Sequence, residues 1–398
     1  MRTVLHIFRS PVGGLFRHVL DLSRAQAGAG LSVGMVFDAA PASGRLEAAR
    51  AELDSFCRAG IVRLPIARYP APGDLVNLGR LARRFRGERP DIIHGHGAKG
   101  GIYARLLSRL IGVPAVYTLH GGVLHFTGRT PSGALFLAAE RAMLGITDGI
   151  IFDSRFARDE FAAKIGVPKC PTSIVGNGLH ESEFGGAGAP RGAGEAADFV
   201  YLGELRLLKG VDVLLRAAAL LRRGGRRFRL AVFGGGPDEA AFRKLAAELG
   251  LGDSVAFRGP VPGPREALAG GRCIVIPSRR ESFPYIVLEA VAYGLPMIAT
   301  DVGAIPEIFG PQRERLIPPD APELLAQRMA DFLDDDAAAL AAAASLQDRI
   351  RRSYRVETMA GRIQEFYAEV VRGSGAPRRR GAPAGPVGQA GGRPPGRA

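Results

Sequence analysis

CIVIPSRRESFPYIVLEA, residues 273 to 290, is the stretch on which the fold turns. An apolar, β-branched run from Cys273 to Ile276 gives way to a charged turn, and an apolar, helix-leaning run follows from Pro284. Strand, loop and helix in that order make the repeating unit of a parallel sheet, where ligands bind beyond the carboxyl ends of the strands. The turn and the helix each carry a glutamate, Glu281 and Glu289. With Ser282 as cap and Pro284 in the first helical turn, Glu281 stands just before the helix and Glu289 about two turns inside it. Their backbones are then separated by about 10 Å.

That separation matches the span from a nucleotide's ribose to a sugar beyond its diphosphate, and the helix start between the two carboxylates offers free amides and a positive dipole end to the diphosphate itself. Carboxylates repel phosphate, so the pair would accept hydrogen bonds from hydroxyls, Glu281 from the sugar and Glu289 from the ribose. An exposed helix position is the plainer reading of Glu289. Its neighbours Val287, Leu288, Ala290 and Val291 predict burial instead, and a buried carboxylate needs a partner.

Outward from this unit the same alternation fills the chain. TVLHIF, SVGMVF, DIIHGH, AVYTLH, GIIFDS and TSIVGN precede a Gly/Ala-rich break at residues 185–197, and FVYLGE, RLAVFGGG, SVAFRG, CIVIPS and PMIATD follow it. The expected architecture is α/β, with two doubly wound Rossmann-like domains facing a central cleft. Residues 1–184 form the first domain, 185–197 the linker and 198–352 the second, with a helix at 353–372 completing the first and a disordered basic tail at 373–398. A chain of 398 residues is long enough for two cores.

Composition narrows the function classes. No apolar run is long enough to span a membrane, and MRTVLHIF reads as a first buried strand rather than a secretory signal, which points to the cytoplasm. Cys57, Cys170 and Cys273 are too few and too scattered for a disulfide framework or a zinc site and read as core filler. The net charge of +14 suits a polyphosphate ligand, nucleic acid or an anionic membrane surface. The helix pattern in LGRLARRFRGERP sets Leu78, Leu81, Ala82 and Phe85 on one face and Arg80, Arg83, Arg84 and Arg86 around the other, fitting either a bilayer surface or a helix packed on the sheet with a solvated basic face.

The remaining motifs lie where strands end. In RSPVGGLFRHV, Gly13 and Gly14 leave the amides of a helix start open to a ligand, or simply make a tight turn. In GELRLLKG, Arg206 and Lys209 suit a diphosphate, or form a solvated basic loop. VFGGGPDE, with Gly234, lacks the spacing of a dinucleotide fingerprint and reads first as a turn. His94, His96 and His120 follow two successive strands, but no carboxylate or cysteine completes a metal set, so they read as cleft-lining hydrogen-bonding groups. The DDD at 334–336 falls in an Ala-rich helical region and reads as a cap or a solvated turn.

Taken in order, GGLFRHV, HGHGAKGG, YTLHGG, SIVGNGL, LLKGVDVLLRAAALL, FGGGPDE and SRRESFPYIVLEAVAYGLPMIATDVGAIPEI resemble the retaining glycosyltransferases of glycosyltransferase family 4, on the two-domain GT-B fold. The resemblance runs from about Thr3 to Val371, and the last motif looks like the family's pair of glutamates separated by seven residues. It implies a hexose transferred from a UDP- or GDP-hexose to a saccharide or lipid-linked acceptor such as a polysaccharide precursor, with no cofactor and no metal. Catalytic roles fall to Glu281, His120 and Lys209; donor binding falls to Gly14, Arg206, Lys209, Glu289 and Gly234. Many members carry Arg where this chain has Glu204, and Arg206 is the residue placed to supply that charge. A cytoplasmic enzyme peripheral on the inner face of the membrane is the resulting expectation, with nucleic acid disfavoured as a partner. The alternatives are a nucleotide-sugar epimerase on the same fold and a non-catalytic nucleotide-sugar or nucleic-acid binding protein.

Overall fold

The computed structural model describes residues 1–39, 44–125, 130–185 and 196–374. Expectations for the tail from residue 375 onward and for linker positions 186–195 lie outside the described residues. Strands β1 (Thr3–Phe8), β2 (Ser32–Asp38), β3 (Ile61–Leu64), β4 (Ile92–His96), β5 (Ala115–Thr118), β6 (Gly149–Phe152) and β7 (Thr172–Ile174) form one sheet in the order 3-2-1-4-5-6-7. Strands β8 (Ala197–Leu202), β9 (Leu230–Phe233), β10 (Val255–Gly259), β11 (Gly271–Ile276) and β12 (Met297–Ala299) form a second in the order 10-9-8-11-12. Every pairing within the two sheets is parallel. These are the two doubly wound α/β domains that the strand–helix alternation predicts.

Strand order reverses at β1/β4 in the first sheet and at β8/β11 in the second. A crevice opens at such a reversal because the connections on its two sides leave in opposite directions. The segments after β1, β8 and β11 converge on the cleft, and they carry Gly13, Lys209 and Glu281.

Strands β1 and β4 are buried almost throughout, and beside their apolar residues they bury His6, His94 and His96. The helix Val356–Ser374 packs on the first domain, burying Met359, Ile363, Phe366, Tyr367 and Val370 in the core that also holds Phe16, Val19 and Leu22 of the helix Gly13–Gly28. Gly149 is small for this reason: a Cβ there would come within 2.7 Å of Val370. The helix Gly73–Gly87 buries Leu78, Leu81, Ala82 and Phe85 and exposes its arginines. DDD divides two helices: Asp334 ends one, Asp336 precedes the next and bonds Arg272. Cys57, Cys170 and Cys273 are all free thiols. No helix among the described residues is long and apolar enough to cross a membrane.

Two local expectations are corrected. The helix after β11 spans Tyr285–Tyr293 and has Pro284 as its cap residue, extended at φ −75° and ψ 121°, with no side-chain cap bond. A proline without an N–H fits the point where the chain turns into the helix. Ser282 does not cap; its hydroxyl donates to Asp153, at the end of β6 in the other domain. Glu289 consequently sits little more than one turn into the helix rather than two.

Candidate active site

Glu281 sits at the carboxyl end of β11 and is 8% exposed. Both of its carboxylate oxygens accept from Lys209 Nζ at 2.8 Å, and Oε1 also accepts from Ser278 Oγ at 2.7 Å. Lys209 reaches it because the chain turns through Gly210, at φ +70°, where a Cβ would come within 1.9 Å of the Pro277 carbonyl. Only glycine allows both the left-handed turn and that approach. Gly303 closes the other side, since a Cβ there would meet the Glu281 carbonyl at 2.2 Å. The carboxylate is thus fixed in direction and paired with a cation before any ligand arrives.

Glu289 is paired across the cleft. The guanidinium of Arg17, on the helix Gly13–Gly28 of the first domain, donates to Glu289 and to Glu183, and lies 4.5 Å over the ring of Tyr285. Burial works against the charge of Arg17, but Glu289 and Glu183 outweigh it and push its pKa above the usual arginine value. Motif reading passed over Arg17; its place one turn into the helix of GGLFRHV, one residue before His18, was the available signal. Gly14 faces the same contact: a Cβ there would lie 3.2 Å from Tyr285 Cδ2. Its missing side chain admits Tyr285 of the second domain as well as leaving the helix start open, where Val12 provides no side-chain cap.

These groups line one interdomain pocket of about 520 Å³, bounded by Gly13, Gly14, Arg17, Gly203, Glu204, Lys209, Glu281, Tyr285 and Glu289. A second cavity of about 280 Å³ lies on the other side of Glu281, lined by Gly121, Phe156, Lys164, Arg280, Ser282 and Gly303 among others. Of the residues singled out from sequence, Gly14, Lys209, Glu281 and Glu289 share the larger pocket. Arg206 does not line it; its guanidinium turns to Glu204 at 3.1 Å, with both side chains about half exposed at 46% and 47%. Gly234 lies beneath the turn after β8, where a Cβ would meet the Gly203 carbonyl at 1.9 Å, so its role there is to let two strand-end turns pack.

His120 follows β5 with its backbone in the left-handed region at φ +50°, next to Gly121 of the smaller cavity. Its Nε2 lies 3.1 Å from His96 Nδ1, and His96 Nε2 lies 2.9 Å from His6 Nδ1. His18 packs edge-on to His120 with ring centroids 4.7 Å apart. Sequence reading grouped His94, His96 and His120 and found no further ligand; the fold adds His6 and His18 from β1 and the helix after it. Burial lowers His6 and His18 to about 4, and burial together with the neighbouring imidazoles lowers His94, His96 and His120 well below their usual value. The whole cluster is neutral at pH 7.

Apart from its two histidines, HGHGAKGG serves packing. A Cβ at Gly100 would meet the Ile7 carbonyl at 2.2 Å and one at Gly101 the Tyr117 ring at 2.4 Å, while Lys99 donates to Asp74 and to the Tyr69 carbonyl at 2.6 and 2.9 Å. The domains are also joined by Glu307, whose carboxylate accepts from the backbone N–H groups of Arg155 and Phe156 at 3.0 and 2.7 Å.

With that geometry in view, the similarities of the chain are informative. Residues 12–183 match the family model described as Glycosyltransferase Family 4, and residues 191–352 match the model described as Glycosyl transferases group 1. A D-inositol 3-phosphate glycosyltransferase of Streptomyces avermitilis is 30% identical over 286 residues, which are 65% of this chain and 61% of that protein. One of Thermobispora bispora is 28% identical, covering 76% of this chain and 77% of the relative. The fold is shared with a sucrose-phosphate synthase from Thermosynechococcus elongatus, with a TM-score of 0.75 at 22% identity, covering 94% of this chain and 100% of that one. It is shared too with Anabaena Alr3699/HepE, solved in complex with UDP and glucose, with a TM-score of 0.76 at 17% identity, covering 93% of this chain and 100% of that one. Both halves of the chain match glycosyltransferase models and both sheets have the GT-B arrangement, so the chain belongs to glycosyltransferase family 4.

Proposed function

We propose that the protein transfers a hexose from a UDP- or GDP-hexose to a saccharide or lipid-linked acceptor, with retention of configuration and without a metal in the chemical step. The observation that carries this reading is the convergence of Glu281, Lys209, Glu289 and two uncapped helix starts on one interdomain pocket. The N-termini of the helices Gly13–Gly28 and Tyr285–Tyr293 offer amides and positive dipole ends to a diphosphate. Lys209 adds a cation, and together these would stabilise the charge that builds on the departing nucleoside diphosphate. Glu281, held by Lys209 and Ser278, accepts from a hydroxyl of the transferred sugar, and His120 borders the same end of the cleft. Glu289 takes the ribose after exchanging part of its bonding to Arg17. The smaller cavity beyond Glu281 would receive the acceptor, whose hydroxyl attacks on the face the nucleotide leaves.

Arg206 is proposed for donor binding only after leaving Glu204, and Gly234 contributes by shaping the turn. The relatives' name, D-inositol 3-phosphate glycosyltransferase, supports glycosyl transfer, and the UDP bound by the Anabaena protein supports the UDP-hexose among these donors. The exposed arginines of the helix Gly73–Gly87 support peripheral contact with an anionic inner membrane face.

A thermal-shift screen of UDP-, GDP- and ADP-sugars against the wild type and Glu289→Ala is the direct test. One nucleotide class should raise the melting temperature of the wild type and lose that effect in the variant. Product analysis with an acceptor should then show a retained anomer, undiminished by chelator. An altered donor sugar formed without acceptor would instead identify an epimerase.

A further inference from the structure

We infer that His18, His96 and His120 form a binding site for a borderline divalent metal ion of the zinc class. Ligating atoms of the three rings all lie within 4.8 Å of one another. His96 Nδ1 and His120 Nε2 are 3.1 Å apart, close to the roughly 3.3 Å that tetrahedral zinc with ordinary imidazole bonds imposes on two nitrogens.

The second observation is the Nε2 atom of His18, which is buried with no hydrogen-bond partner. Asn177 fixes this state. Its Nδ2 donates to the Phe283 carbonyl at 2.9 Å, so its Oδ1 accepts from the Nδ1–H of His18 at 2.9 Å. His18 then keeps a bare lone pair on Nε2, on a residue only 2% exposed. Leaving such an atom unpaired is costly unless something occupies it.

His96 is prepared in the same way. Gln26 Oε1 accepts from His6 Nε2 at 2.7 Å, so His6 Nδ1 accepts from His96 Nε2 at 2.9 Å, and His96 is left with a bare Nδ1. Two of the three ligands thus already hand their ring N–H to a supporting group and keep the other nitrogen unprotonated, that of His18 unpartnered and that of His96 bonded only to His120, the orientation that metal-binding histidines adopt. His120 would exchange its bond to His96 for the ion and carry its proton on Nδ1. The other triad, His6, His94 and His96, offers no such arrangement, because His94 bonds Tyr367 at one nitrogen and Thr118 at the other, 2.7 Å away. His120 is partly exposed beside Gly121 of the cleft cavity, which gives an ion a way in and leaves a fourth position open.

Because His120 borders the sugar end of the cleft, a bound ion would hold its ring away from the donor and inhibit transfer. That consequence rests on the proposed function; the binding does not. The test is a Co²⁺ titration of the chelator-treated full chain, read by the visible bands of tetrahedral cobalt. Binding should saturate at one ion per chain. His18→Ala should abolish the bands with its circular dichroism intact, Asn177→Ala should weaken binding by about 10- to 100-fold, and His180→Gln, outside the cluster, should leave the spectrum unchanged. Should His18→Ala fail to fold, X-ray absorption of the zinc-loaded wild type should count three imidazole nitrogens. A weak octahedral spectrum, bands that survive His18→Ala, or fewer imidazoles would overturn the proposal. Zinc inhibition that disappears in a folded His18→Ala chain would establish the consequence, and zinc binding without inhibition would refute the role given to His120 while leaving the site intact.

Discussion

Lys209 is the residue whose removal separates ground-state binding from catalysis most cleanly. Its ammonium contacts both oxygens of Glu281, and in the proposed reaction it must also face the diphosphate as charge develops there. Lys209→Met should lower kcat by about 100- to 1000-fold, the usual cost of one preorganised charge-stabilising donor. A raised KM with unchanged kcat would show that Lys209 only holds the donor. At this scale the sequence singled out Glu281, Lys209 and Glu289, and the fold brings all three to one pocket, the first two from strand-end turns and Glu289 from the helix Tyr285–Tyr293. Arg17 was not singled out. A cation one turn into an amphipathic helix looks like any solvated residue until the second domain brings Glu289 to it. Arg206 shows the converse, since proximity in sequence could not reveal that its guanidinium turns to Glu204.

Among the elements, the helix Gly13–Gly28 links the first domain to the segment leading into the linker through ionic contacts. His180 Nε2 lies 3.2 Å from Asp21 Oδ1, and that hydrogen bond raises the His180 pKa above 6.5. Burial opposes ionisation of Asp21, yet the bond to His180 and the charge of Arg17 hold its carboxyl below the usual range. A histidine pKa raised by folding contributes stability in full below its unfolded value, and that contribution is lost as pH rises through the folded value. Denaturation of the wild type should therefore show a stability loss above pH 6.5 that is reduced in Asp21→Asn; parallel profiles would remove His180 as its source. The helix Arg155–Lys164 makes a second link. Ser154 accepts from Ala157 N–H at 3.0 Å, and Glu307 of the other domain takes the two preceding amides. Glu307→Ala should cost about 1 kcal/mol, the worth of a helix cap, and small-angle scattering should show a more open pair of domains. An unchanged scattering profile would confine Glu307 to local capping. The helices themselves were readable from apolar periodicity, but the start of Tyr285–Tyr293 was placed early, because Ser282 has the chemistry of a cap and a different partner.

For the whole molecule, the return of the helix Val356–Ser374 ties the second half of the chain to the helix Gly13–Gly28 of the first. A chain stopped at residue 355 would leave bare the apolar surface that Met359, Ile363, Phe366 and Tyr367 cover, whereas one stopped at residue 374 keeps it covered. Expression of the two should give aggregation in the first case and a soluble protein in the second; equal solubility would mean that the first domain closes without this helix. The sequence by itself determined the two parallel-sheet domains and the strand-end loops, because burial on both faces forces apolar runs and short connections carry recognisable turn residues. Tertiary structure alone decided which of those loops serve the cleft. Gly210 and Gly303 fix Glu281, while the glycines of HGHGAKGG serve packing, and no local pattern distinguishes the two uses. It also decided that histidines from β1, β4 and their neighbouring segments share one buried cluster, since contacts between residues far apart in the chain depend on strand order, which local periodicity does not encode.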